Sequence, residues 1–209
     1  MRYNHMIWDF DGTLMDTYPA MAGAFQAALS EIGVSEPLCG IMAQMKISMG
    51  HCIQYYQKMY SIDDAFLQRF DIIRAKEERE KIKPFDGVVS ICRDICQYGG
   101  RNYGYTHRGV STAYFVEKFG LAPYFTEWIT SQNHFPRKPS PAALQYLCGT
   151  YGIRPGEALM IGDRDLDILA AKNAGIHACF LMQEGKPCRA ADYNIRSYAE
   201  MYRILDIAV

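Results

Sequence analysis

Long hydrophobic runs are missing from this 209-residue chain: no apolar stretch approaches the roughly 20 residues that a membrane-spanning helix needs. The opening Met1-Arg-Tyr-Asn-His also lacks the apolar core of a signal peptide, so a cytoplasmic location without a membrane partner is expected. An excess of charge is missing too. With 22 Lys and Arg against 23 Asp and Glu, a formal net charge of -1 gives no electrostatic case for nucleic acid. Paired cysteines are scarce: the seven are odd in number and scattered, at Cys39, Cys52, Cys92, Cys96, Cys148, Cys179 and Cys188. Only Cys92 and Cys96 are close, and their i,i+4 spacing on an expected helix favours a core stripe over a metal site or disulfide. All seven read as reduced thiols. No internal repeat or low-complexity segment is present.

What the chain does have is Met6-Ile-Trp-Asp-Phe-Asp-Gly-Thr-Leu-Met-Asp-Thr17. The apolar start reads as a buried strand that breaks into two carboxylates, Asp9 and Asp11, and a Gly-Thr turn. In an open α/β sheet, ligands bind at the C-terminal ends of strands, and two acids there repel each other unless a cation or a shared proton is present. One reason for such a pair is chemical: one carboxylate attacks an electrophile, the other moves a proton, and a hard cation sits between them. The alternative is an Asp that caps a turn beside one that is merely solvated.

Helical spacing dominates from about residue 15 to 83. Met21, Ala24, Phe25, Ala28, Leu29 and Ile32 form one stripe, further helices are expected near 38–45 and 52–60, and Ser61-Ile-Asp-Asp64 reads as the N-cap of a helix reaching about Ile82. After Pro84-Phe85-Asp86-Gly87, helix and strand alternate. Strands are expected at 102–106, 127–130, 158–161 and 177–182. Helices are expected at 88–96, 111–119, 140–151 (Ser140 as N-cap, Pro141 at N1) and 166–174. Such alternation implies an α/β fold in which a Rossmann-like parallel sheet is flanked by helices, with an all-helical insertion after the first strand. The expected domains are 1–14 with 84–209 as the core, and 15–83 as the insertion.

Asp9-Phe10-Asp11-Gly12-Thr13-Leu14 resembles the first motif of the haloacid dehalogenase (HAD) superfamily, most of whose members are phosphatases. Three further motifs are similar and in order. Thr106 ends a strand, where the superfamily has a Ser or Thr that hydrogen-bonds a phosphoryl group. Lys138 lies in Arg137-Lys-Pro-Ser-Pro141, which looks like the Lys-Pro-x-Pro of relatives of phosphoglycolate phosphatase and β-phosphoglucomutase. Ala158-Leu-Met-Ile-Gly-Asp-Arg-Asp-Leu-Asp167 resembles the fourth motif, an apolar strand, Gly-Asp, and another Asp four residues on. Singly these residues have bland readings: a helix cap for Thr106, a solvated Lys138, and acids answering a helix dipole at 163–167.

The resemblance implies a Mg²⁺-dependent phosphatase working through an aspartyl-phosphate. Asp9, with an ordinary pKa near ~3.9 and so ionised, is the nucleophile, and Asp11 is the general acid and base. Thr106 and Lys138 stabilise the phosphoryl oxygens. The metal is held by Asp9, the backbone carbonyl of Asp11 and Asp163, with Asp167 holding the metal's waters or a neighbouring basic side chain. The insertion has the position of a cap, a lid that closes over the site. Its loop residues Lys46, Ser48 and His51 are candidate substrate contacts or ordinary surface residues. His107 and Arg108 either touch the leaving group or are exposed. The expected partner is a small phosphorylated metabolite, and the expected state a monomer or homodimer. Two rivals remain: a phosphosugar mutase of the β-phosphoglucomutase type, and a non-catalytic phosphometabolite-binding protein.

Overall fold

The computed structural model describes residues 1–183 and 185–208, which fall into two compact units. One combines Met1–Met15 with the chain from Pro84 onward, and the other is Asp16–Lys83.

In the first unit, apolar runs too short for helices become strands, and they build a six-stranded parallel sheet. The strands are β1 (His5–Trp8), β2 (Arg101–Tyr105), β3 (Phe125–Ile129), β4 (Ala158–Gly162), β5 (His177–Leu181) and β6 (Tyr193–Ile195), in the order β3-β2-β1-β4-β5-β6. β1 is central, pairing Ile7 with Tyr103 of β2 and with Met160 of β4. Its last three residues are fully buried, as a strand covered on both faces must be. The reversal of strand order at β1 and β4 places a crevice beyond their C-terminal ends, so Asp9 and Asp163 emerge at the switch point.

One polar pair inside this core is fully matched. Trp8 Nε1 donates to Asn102 Oδ1 at 2.9 Å, while Asn102 Nδ2 donates to the carbonyls of Cys92 and Tyr124. Amphipathic α-helices cover the sheet, for example 88–97, which buries Val88, Ile91, Cys92 and Ile95. Trp128 lies against the bare backbone of Gly104, where any Cβ would overlap its ring. All seven cysteines are free.

The second unit is four helices: α1 (Tyr18–Glu31), α2 (Leu38–Ile47), α3 (Met49–Met59) and α4 (Asp64–Lys81). Its centre is Phe25, whose ring has Tyr56, Phe66 and Phe70 at centroid distances of 5.4, 5.3 and 5.1 Å. Burying each such ring contributes roughly 1.5–3 kcal/mol, so this aromatic knot is the unit's main support.

Two caps differ from the sequence expectation. Asp63, not Ser61, caps α4, its carboxylate accepting from Phe66 N–H at 2.9 Å. Both residue types cap well, and Asp63 is the one standing three residues before that N–H. The helix after Lys138 begins at Ala142 with Pro141 as its cap, one residue later than expected. β6 and the closing helix, Ala199–Leu205, were not anticipated. No helix among the described residues is long and apolar enough to cross a membrane.

Candidate active site

The turn after β1 sets the site. Gly12, at φ 80°, takes a left-handed conformation that a side chain would oppose, which lets the chain double back so that its N–H donates to Met15 O. Asp9 is held at the strand end by its own N–H, which donates to Ile161 O at 2.9 Å.

Lys138 is the hub. Its side chain is fully buried, and Nζ donates to Asp9 Oδ1 at 2.6 Å and to Tyr105 O at 2.8 Å, and is ion-paired with Asp167 Oδ1 at 2.7 Å. The Tyr105 ring adds a cation–π contact at 4.5 Å. Burial works against the ammonium charge, but Asp167 and Asp9 outweigh it and raise the lysine's pKa. The Asp167 carboxyl is likewise opposed by burial yet held below the usual range by Lys138 and Arg164. Asp9 differs: burial and the charge of Asp167 push it up to about 6, against the pull of Lys138 and Arg164. Complete burial is what a sequence-based value near that of a free carboxylate leaves out.

Asp167 folds back over Gly162, where a Cβ would collide with its carboxylate, and Oδ2 accepts from Arg164 N–H at 3.1 Å. This glycine is required for close approach. Asp163 Oδ1 accepts from the buried Thr13 hydroxyl at 3.3 Å. Asp9, Asp163 and Asp167 each offer a carboxylate oxygen within 4.8 Å of the others.

Thr106 is buried, and its Oγ1 accepts from Arg108 N–H at 3.1 Å. His107 turns inward, Nε2 accepting from Lys138 N–H at 2.9 Å. That bond requires a neutral ring. Burial first, then the charges of Lys138 and Arg137, pull its pKa down to about 3. The Asp11 carboxylate takes two bonds from Arg108 on Oδ1.

Lys46, Ser48 and His51 belong to the helical unit. Ser48 caps α3 through His51 N–H, His51 Nε2 pairs with Gln44 Oε1 at 2.9 Å, and Lys46 Nζ lies 6.0 Å from the Tyr18 ring centre. Sequence reasoning gave no role to Tyr198, whose buried hydroxyl donates to Thr13 O at 2.6 Å, or to Gln183, which donates to Gly12 O. Both brace the turn from 170 or more positions away, with no motif to mark them.

Residues 6–181 match the family model described as haloacid dehalogenase-like hydrolase. The chain belongs to this family. Among relatives of these hydrolases, a phosphoglycolate phosphatase of Thiobacillus denitrificans is 30% identical over 183 residues, covering 81% of this chain and 79% of its own. A 5'-nucleotidase of Pseudomonas aeruginosa is 26% identical over 189 residues, covering 86% and 82%. A crystal structure of a hydrolase from Streptococcus pneumoniae is 31% identical, with a TM-score of 0.71 over 99% of this chain and 100% of that one. As a haloacid dehalogenase-like hydrolase, the chain is an enzyme of a family acting on phosphate esters.

The three-acid group has the donor chemistry of a hard divalent cation's site, all oxygen. Asp9 Oδ2 tests that fit. It is buried with no hydrogen-bond partner among the described residues, and a charged oxygen so placed is costly unless something pairs with it. A cation, or an electrophile, would remove that cost.

Proposed function

We propose that this hydrolase is a Mg²⁺-dependent phosphatase of a small phosphate monoester, and that it works through an aspartyl-phosphate on Asp9. One observation carries the reading: Lys138 fixes Asp9 Oδ1, and Oδ2 is left buried, with no hydrogen-bond partner among the described residues, at the end of the central strand. Spontaneous hydrolysis of phosphate monoesters is among the slowest reactions known, calling for accelerations up to ~10²¹, so pre-organised charge at this point is what catalysis demands.

In the proposed sequence Asp9 Oδ2 attacks phosphorus in line, and the ester P–O bond breaks as Asp11 gives its proton to the departing oxygen. Water then attacks the aspartyl-phosphate, Asp11 takes the water's proton, and phosphate leaves with the Asp9 carboxylate restored. Lys138 orients Asp9 throughout. Thr106, its Oγ1 lone pair engaged by Arg108 N–H, has its own O–H to donate to a phosphoryl oxygen. Asp9, the Asp11 carbonyl and Asp163 would hold Mg²⁺, which offsets repulsion between carboxylate and phosphate. Asp167 holds Lys138, the neighbouring basic side chain, as its counter-ion. The helical unit is proposed to act as the cap and to supply selectivity through Lys46, Ser48 and His51. The names of the relatives put phosphoglycolate and nucleoside monophosphates first among substrates to try.

Phosphate release from a panel of phosphorylated metabolites and p-nitrophenyl phosphate, with Mg²⁺, tests the reading. Release abolished by EDTA and by Asp9→Asn is the expected outcome. Isomerisation of sugar phosphates with little release would replace it with the mutase reading, and neither activity would leave a binding protein.

A further inference from the structure

Arg108 is built in more firmly than a residue at the mouth of a site needs to be. Its side chain is only 8% exposed, and two of its donors converge on one oxygen of Asp11, Nε at 3.0 Å and Nη2 at 2.6 Å. A third, Nη1, reaches Ser111 Oγ at 3.2 Å. The guanidinium carbon lies 5.4 Å from the ring centre of Phe10 and 5.8 Å from that of Phe115, both fully buried rings. Its backbone N–H is tied to Thr106 Oγ1. Side-chain hydroxyl, two aromatic faces and backbone thus all fix the fork before it meets the carboxylate. A lysine, with one point charge on a flexible stem, could not copy this.

We propose that Arg108 is the positioning residue for Asp11: the clamped fork sets the rotation of the Asp11 carboxylate, and so where its proton is delivered. The proposal rests on the phosphatase reading, in which Asp11 serves the leaving oxygen. Proton transfer by a placed side chain contributes roughly 10²–10⁴-fold, and a displacement of about 1 Å can cost ~10²-fold. The consequence depends on the leaving group. An alkyl phosphate needs a proton on its departing oxygen, whereas p-nitrophenolate leaves without one. Because kcat/KM reports steps up to the first bond cleavage, comparing it between the two esters isolates this delivery.

The experiment measures kcat/KM for glycerol phosphate and p-nitrophenyl phosphate in wild type, Arg108→Ala, Arg108→Lys and Ser111→Ala, and repeats Arg108→Ala in an Asp11→Asn background. Arg108→Ala should lower the alkyl value by ~100-fold and the p-nitrophenyl value by less than ~5-fold. Arg108→Lys should show the same selectivity to a smaller degree. Ser111→Ala, which loosens the clamp without touching Asp11, should show it at roughly 3–10-fold and stands in should Arg108→Ala not fold. With Asp11 already Asn, removing Arg108 should change neither ester. Equal losses on both esters would overturn the proposal in favour of a structural role. A further loss in the Asp11→Asn background would overturn it in favour of direct substrate contact. Absence of wild-type release from both esters and from the whole metabolite panel would overturn the phosphatase reading as well.

Discussion

The two units bury different things. In the helical unit the interior is largely aromatic, gathered round Phe25, and an ion pair such as Arg69 with Glu31 at 2.6 Å lies on the surface, with Glu78 a buried acid beside Arg74 at 4.0 Å. The α/β unit instead buries Asp9, Asp167 and Lys138 completely and surrounds them with Thr13 and Thr106. Apolar burial stabilises wherever it occurs, but buried ions cost several kcal/mol each in desolvation and return it only with full pairing. A buried cluster of this kind at a strand end marks where stability has been given up for chemistry.

The sharpest way to break that contrast is to remove one member of each interior. Phe25→Ala should destabilise by ~3–5 kcal/mol through the cavity it leaves, seen as a lower urea midpoint. Lys138→Met should lose a similar ~3–5 kcal/mol, but for the opposite reason, since it strands two buried carboxylates. Adding Asp167→Asn to Lys138→Met should therefore restore part of the loss. Nothing in the helical unit predicts an analogous rescue of Phe25→Ala.

A smaller effect is read from pH. His107 has a folded pKa of about 3 against an ordinary value near ~6.5, so between those values the unfolded chain binds the extra proton. Its contribution is neutral above about pH 6.5 and destabilises progressively as pH falls toward 3. His107→Asn, which keeps an acceptor near Lys138 N–H, should flatten the fall in Tm between pH 6.5 and 4.5 relative to wild type. An unchanged slope would show that the imidazole is not held neutral.

The smallest change should come from Arg69→Ala. That exposed pair should shift the urea midpoint least of all, and its effect should fade in high salt.

Much of this molecule was legible because periodicity is local. The alternation after Pro84 gave the sheet and its helices, and the acids at the ends of β1 and β4 stood in sequence where the structure brings Asp9, Asp163 and Asp167 together with Lys138. β6 escaped because three residues, Tyr193–Ile195, of which only Ile195 is buried, show no period. The inward turn of His107 and the hold of Arg108 on Asp11 escaped for another reason. Their partners lie 31 and 97 positions away, and no local pattern encodes such a meeting.

Trp8, hydrogen-bonded inside β1's neighbourhood, and Trp128, laid on Gly104, are the chain's two tryptophans, and both belong to the α/β unit. The molecule therefore carries a built-in optical label on one unit alone. Emission excited at the red edge of the indole band reports the melting of the sheet, while far-ultraviolet circular dichroism also registers the four helices of the other unit. Superimposed curves would mean that the two units unfold as one cooperative body, and separated curves that each holds itself together.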